Sequence, residues 1–161
     1  MLIHCRFLVA AAGAALCLAL PYVTVAQTAK PVCDLVTEQD AAAVIGSVLK
    51  KQSTLGPDQC VFTTKGLSLI INRLPDQEPE QIKMMLELPK NRARPGDLVK
   101  DEPDIGQRAV SETSKGSLNI IAASGSTIWT LGVSHVYRQD LTEMLPRLRG
   151  LARKLAGEPQ N

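Results

Sequence analysis

Leu67, Leu69 and Ile71 alternate with Ser68, Ile70 and Asn72, the two-residue period of a strand that turns one face to a core. Val61 and Phe62 stand among threonines just before them, and Lys65-Gly66 between the two runs is a two-residue hairpin turn. The pattern returns later in the chain. Leu118, Ile120 and Ala122 alternate with polar or small residues, and Ser124-Gly125 is a second hairpin signal. Thr127, Trp129, Leu131 and Val133 then line one face of the next strand. Residues 107–112 read as a weaker strand and 47–54 as an ambiguous one.

Elsewhere the period changes to that of a helix. Thr37 is a helix N-cap with Asp40 three residues on, Leu35 and Ala41 are placed to staple across it, and Ala41, Ala42, Val44 and Ile45 supply an apolar side that Gly46 ends. Ile82, Met85 and Leu86 follow Pro79 at helical spacing until Pro89 stops them. Met84 and Met85 read there as core filler in preference to an adaptable binding surface. The strongest stripe comes last, through Leu141, Met144, Leu145, Leu148, Leu151, Ala152 and Leu155, with a kink or a second helix start expected at Pro146. Residues 90–105, charged and broken by two prolines, form an irregular loop. Thr63-Thr64-Lys65-Gly66 recurs as Thr113-Ser114-Lys115-Gly116, which suggests an internal repeat, although Leu69 then aligns with Asn119 and the apolar phase slips by one. The expected fold is α+β: an antiparallel sheet of five to six strands with helices packed on one face.

The first 26 of the 161 residues stand apart. Arg6 precedes an unbroken apolar run over 7–20, Pro21 breaks it, and Thr24-Val25-Ala26 offers a cleavage site, the pattern of a secretory signal peptide. The alternative is an uncleaved anchor, since 7–26 is just long enough to span a bilayer. Residues 27–161 are then one domain, with 27–32 as a mobile lead. Removing 1–26 takes one of the 18 basic residues and none of the 16 acidic ones, leaving a charge of +1. Near-neutral and interspersed, the charges imply no nucleic-acid footprint and no polybasic patch for a membrane surface. Cys5 and Cys17 leave with the leader, so Cys33 and Cys60 remain, and one disulfide is the simplest reading in an oxidising compartment. A redox or metal-binding pair would stand closer in sequence, as in C-x-x-C. On the chain-entropy model, closing a loop of this size stabilises the fold by about 3 to 4 kcal/mol.

The opening Cys33-Asp34-Leu35-Val36-Thr37, the alanine-rich helix, Gly46 and the later Cys60 resemble a widespread family of small exported bacterial proteins. That family is a domain of unknown function common among actinobacterial lipoproteins. Ile105-Gly106-Gln107-Arg108-Ala109, two hairpin strands and a terminal amphipathic helix are similar to its second half. The chain departs from it in lacking a lipid-attachment cysteine and in carrying Gln-Arg after the glycine. The resemblance implies an α+β fold with an antiparallel sheet, an envelope location and no catalytic residues to carry over.

Candidate chemistry is sparse. Beyond the leader the one histidine is His135, at the end of a strand beside Ser134 and Tyr137, whereas nucleophilic hydrolysis needs a positioned imidazole. Zinc or iron needs three or four converging ligands, which one histidine and two paired cysteines do not supply. Asp101, Glu102 and Asp104 lie in the charged loop with nothing to mark them as buried. Phe62, Trp129 and Tyr137 are too few for a sugar site, and Trp129 falls on the core face. No catalytic residue, metal or cofactor is assigned. The expectation is an exported or periplasmic binding domain whose partner is an envelope or secreted protein or a small ligand. Arg92, Arg94, Trp129 and His135 are its candidate contacts. Two alternatives stand beside it: an enzyme inhibitor or toxin-neutralising protein presenting 90–105, and a small hydrolase using His135.

Overall fold

The computed structural model describes residues 29–46, 48, 50–52, 56–137 and 140–157; the leader expected over 1–26 lies outside them. Seven strands form one antiparallel sheet: β1 (Lys50–Gln52), β2 (Gln59–Thr63), β3 (Leu67–Leu74), β4 (Leu98–Asp101), β5 (Arg108–Ser114), β6 (Ser117–Ser124) and β7 (Thr127–His135). Helices α1 (Val32–Leu35), α2 (Glu38–Ile45), α3 (Pro79–Arg92) and α4 (Leu145–Gly157) join it, α4 after a 3-10 turn at Thr142–Met144. The α+β class is as expected, with seven strands in place of five to six. Pro146 sits in the first turn of α4, where its missing N–H costs nothing.

The strand order is β1-β2-β3-β7-β6-β5-β4, so the last strand of the chain is the middle of the sheet. β3 flanks β7 from Leu67↔His135 to Leu74↔Ile128, and β6 flanks its other side from Ser117↔Ser134 to Ser124↔Thr127. The Lys65-Gly66 and Lys115-Gly116 turns join β2 to β3 and β5 to β6. Gly66 and Gly116 take φ of 106° and 80°, the left-handed region such turns need. Both turns then grip the end of β7: His135 N–H donates to Gly116 O, and Val136 N–H to Gly66 O, each at 3.0 Å. The sequence echo is therefore a pair of hairpins placed symmetrically about β7. A two-fold relation along that strand exchanges the faces of the sheet, which accounts for the one-residue slip between Leu69 and Asn119.

Three helices cover one face. Phe62, Leu69, Ile71, Leu118, Ile120, Trp129, Leu131 and Val133 are buried there with Ala41, Val44, Leu148, Leu151 and Leu155 of α2 and α4. The other face holds a smaller cluster of Leu86, Val110, Ile121, Ala123 and Ile128 under α3. Helices thus lie on both faces rather than on one.

The N-terminal segment is stapled as predicted. Cys33 and Cys60 are bonded with Cα atoms 5.0 Å apart. Thr37 Oγ1 accepts from Asp40 N–H at 3.1 Å while Asp40 accepts from Thr37 N–H at 2.9 Å, a full capping box. Val36, directly before the cap, is the fully buried residue of the staple, and Leu35 is half-buried. The lead is tied down from Lys30 onward. Lys30 O accepts from Arg73 Nη1 at 2.9 Å, Val32 N–H donates to Pro57 O at 2.7 Å, and Val32 is buried.

Two boundaries differ from expectation. Pro89 does not stop α3, which runs to Arg92: the buried ring packs inward and its lost donor falls within the last turn. Residues 90–105 are not a protruding loop. They contain the end of α3 and the edge strand β4, which the sequence hides because Val99 alone of its four residues is a half-buried apolar one.

Candidate functional site

On the α3 face the helix stands over β5, β6 and the start of β7 and leaves the rest of the sheet half-exposed. The register puts Val61 and Thr63 of β2, Ser68, Ile70 and Asn72 of β3 and Thr130 and Gly132 of β7 on that face, and each is partly accessible. Where the bare sheet meets α3 there is a groove of about 300 Å³. Met85, Leu88 and Arg92 of α3 form one wall, and Ile70, Asn119 and Thr130 line the opposite side.

The floor of the groove is Gly132. Ile70 lies opposite it on β3 and Asn119 opposite it on β6. A Cβ at Gly132 would stand 2.8 Å from Asn119 Oδ1, so the glycine leaves room for the Asn119 side chain to lie across the groove floor. A polar ladder crosses the strands beside it. Gln59 Nε2 donates to Asn72 Oδ1 at 2.6 Å, and Asn72 Nδ2 donates to Thr130 Oγ1 at 2.9 Å. Asn119 stands outside that ladder, and among the described residues its carboxamide makes no hydrogen bond. At the β5 side Arg92 Nη2 pairs with Glu112 Oε2 at 2.8 Å, covering a buried carboxylate with a half-exposed guanidinium. The groove therefore offers an amide, a hydroxyl and a guanidinium above an apolar wall, the mixture that orients a ligand without reacting with it.

The four contacts expected from the sequence scatter. Arg92 lines the groove. Arg94 lies beyond it in the turn before β4, where its N–H donates to Asp97 at 2.8 Å. Trp129 is 1 % exposed on the opposite, helix-covered face, where Ala122 and Arg73 lie beside it, so it contacts core and not ligand. Its indole N–H has no partner among the described residues. His135 is at the far end of β7: its Nδ1 accepts from Tyr137 N–H at 3.0 Å, and among the described residues no hydroxyl or thiol bonds to the ring. Met84, read as core, is 61 % exposed, while Met85 faces the sheet. Missed altogether were Asn72, Asn119, Thr130 and Gly132. Their signal was present: each interrupts an apolar strand at a position whose neighbours face the core.

Among the described residues no group of three His, Cys, Asp or Glu is placed to hold a metal ion, and no helix is long and apolar enough to cross a membrane. Comparison with protein-family models, with curated proteins and with solved structures gives no match to this chain.

Proposed function

We propose that the chain is an exported, non-catalytic binding domain of the cell envelope that seats a short peptide segment of a partner protein, or a small ligand of the same chemistry, beside α3. The observation that carries this reading is the groove over Gly132, with the uncommitted Asn119 carboxamide lying across its floor and Ile70, Met85 and Leu88 around it. A carboxamide matches a peptide group with one donor and one acceptor, and the apolar wall matches a neighbouring side chain. Export is supported by the leader pattern of residues 1–26 and is compatible with the Cys33–Cys60 disulfide. Kinship with the small exported family that the Cys-Asp-Leu-Val-Thr opening resembles belongs to the same reading.

The test is a thermal-shift and NMR screen of the purified chain against short peptides with apolar side chains. Gly132→Ala pushes the Asn119 carboxamide off the groove floor, moving only the end of a flexible side chain, so it is expected to abolish binding and leave the melting temperature nearly unchanged. His135→Ala is expected to bind as the parent does. Binding that survives Gly132→Ala would refute the site, and turnover abolished by His135→Ala would refute the non-catalytic reading.

A further inference from the structure

Four exposed cations gather at one end of the sheet. The antiparallel sheet brings both Lys-Gly turns, the start of β1, the start of β4 and the end of β7 to one end. Exposed there are Lys50, Lys65, Lys115 and Arg94. Three acidic groups stand against them: Asp97, whose carboxylate accepts from Arg94 N–H, and Asp140 and Glu143 at the approach to α4, Asp140 being bonded to Thr142. Glu112, one step inside, is taken by Arg92. The opposite end exposes Asp76, Glu78, Glu80, Asp101 and Asp104 beside Arg108, with Lys90 paired to Asp101 and Arg153 to Asp104.

The basic end is also apolar at its centre. Val136 and Tyr137 are 74 % and 78 % exposed directly beyond β7. The turns that carry Lys65 and Lys115 are three strand spacings apart, about 14 Å, with the end of β7 between them. That apolar tip is held in place rather than loose. The two glycine carbonyls fix His135 and Val136, and the His135 ring accepts from Tyr137 N–H and lies 5.7 Å from the Tyr137 ring. A tyrosine and a valine between two lysine-bearing turns match the interface of an anionic bilayer. There aromatic rings sit at headgroup depth and lysines meet phosphates.

We infer that this end of the sheet, Val136-Tyr137 flanked by Lys65 and Lys115, docks peripherally on an anionic phospholipid surface, independently of the groove. The test uses residues 27–161, which contain every described element and omit the apolar leader. They are sedimented with vesicles of phosphatidylcholine alone or with one-quarter phosphatidylglycerol. Binding to the anionic vesicles only, weakened by 0.5 M salt, is expected. Lys65→Glu/Lys115→Glu should weaken it by at least about tenfold. Val136→Ser/Tyr137→Ser should also weaken it, while Glu78→Lys at the far end should not, all with parental circular dichroism. No sedimentation with anionic vesicles, equal sedimentation with neutral ones, or parental binding by the lysine reversal would overturn the inference. So would equal binding to soluble polyglutamate that the Val136→Ser/Tyr137→Ser change leaves intact.

Discussion

The two faces of the sheet are built from the same strands to opposite ends. Behind one, α1, α2 and α4 and a disulfide seal a continuous core that includes Trp129, Phe62 and the inward row of β7. Over the other, a single helix stands over β5, β6 and the start of β7, and the uncovered positions are Asn, Thr, Ser and Gly among a few aliphatics. Along β7 the division falls between adjacent residues: Trp129, Leu131 and Val133 point to the sealed side, Thr130 and Gly132 to the open one. The lesson is that rigidity and access are separated by the pleat alone. The sealed face fixes the strands, and the open face is free to carry polar groups that no core would tolerate unpaired.

That contrast is open to measurement, starting where the effect is greatest. Trp129→Ala, emptying the sealed side, is expected to cost about 3–5 kcal/mol, whereas Ile70→Ala on the open side should cost about 1 kcal/mol. Equal shifts in urea midpoint would erase the distinction. Replacing Cys33 and Cys60 together by serine should cost about 3 kcal/mol, read from the same titration. Arg92→Ala uncovers the buried Glu112 carboxylate and should cost about 1–2 kcal/mol. Adding Glu112→Gln should recover part of that loss, and no recovery would mean that Arg92 acts through packing. Met84→Gln, on the outer side of α3, should move stability by less than about 0.5 kcal/mol. The smallest effect belongs to Asp40. Burial acts to raise its carboxyl, but Thr37 N–H, the Thr37 hydroxyl and Lys154 outweigh it and hold the group below the ordinary aspartate value. A pKa lowered by folding contributes stability that is complete above the unfolded value of about 3.9 and is lost as pH falls from there through the lower folded value. Asp40→Asn should therefore lower stability slightly near pH 7 and flatten the profile below about pH 4, where parent and variant converge.

The sealed side was readable in advance because its signals are local or periodic. Thr37, Asp40 and Gly46 bound α2 in the sequence as they do in the fold, and the inward rows of β3, β6 and β7 are plain alternations. The open side was harder, for physical reasons. Pro89 reads as a stop, yet one lost hydrogen bond in a final turn is outweighed when the ring is buried. β4 is an edge strand with a single inward Val99 and so has no period to detect. Asn119 and Gly132 are 13 residues apart, and only the β6–β7 register makes them neighbours. Likewise Lys65 and Lys115 look like two dispersed charges until β7 is placed between their turns. The phase slip of the echo counted against a repeat, when it was the mark of two hairpins related through opposite faces.

Placing the final strand at the centre has a consequence for how the chain is made. Until residue 135 has left the ribosome, β3 and β6 each present a bare edge with no neighbour, and the two half-sheets have nothing to join them. A nascent chain halted before Thr127 would hold two separate three-stranded fragments, each a template for mispairing, and only synthesis past His135 brings the strand that closes both at once.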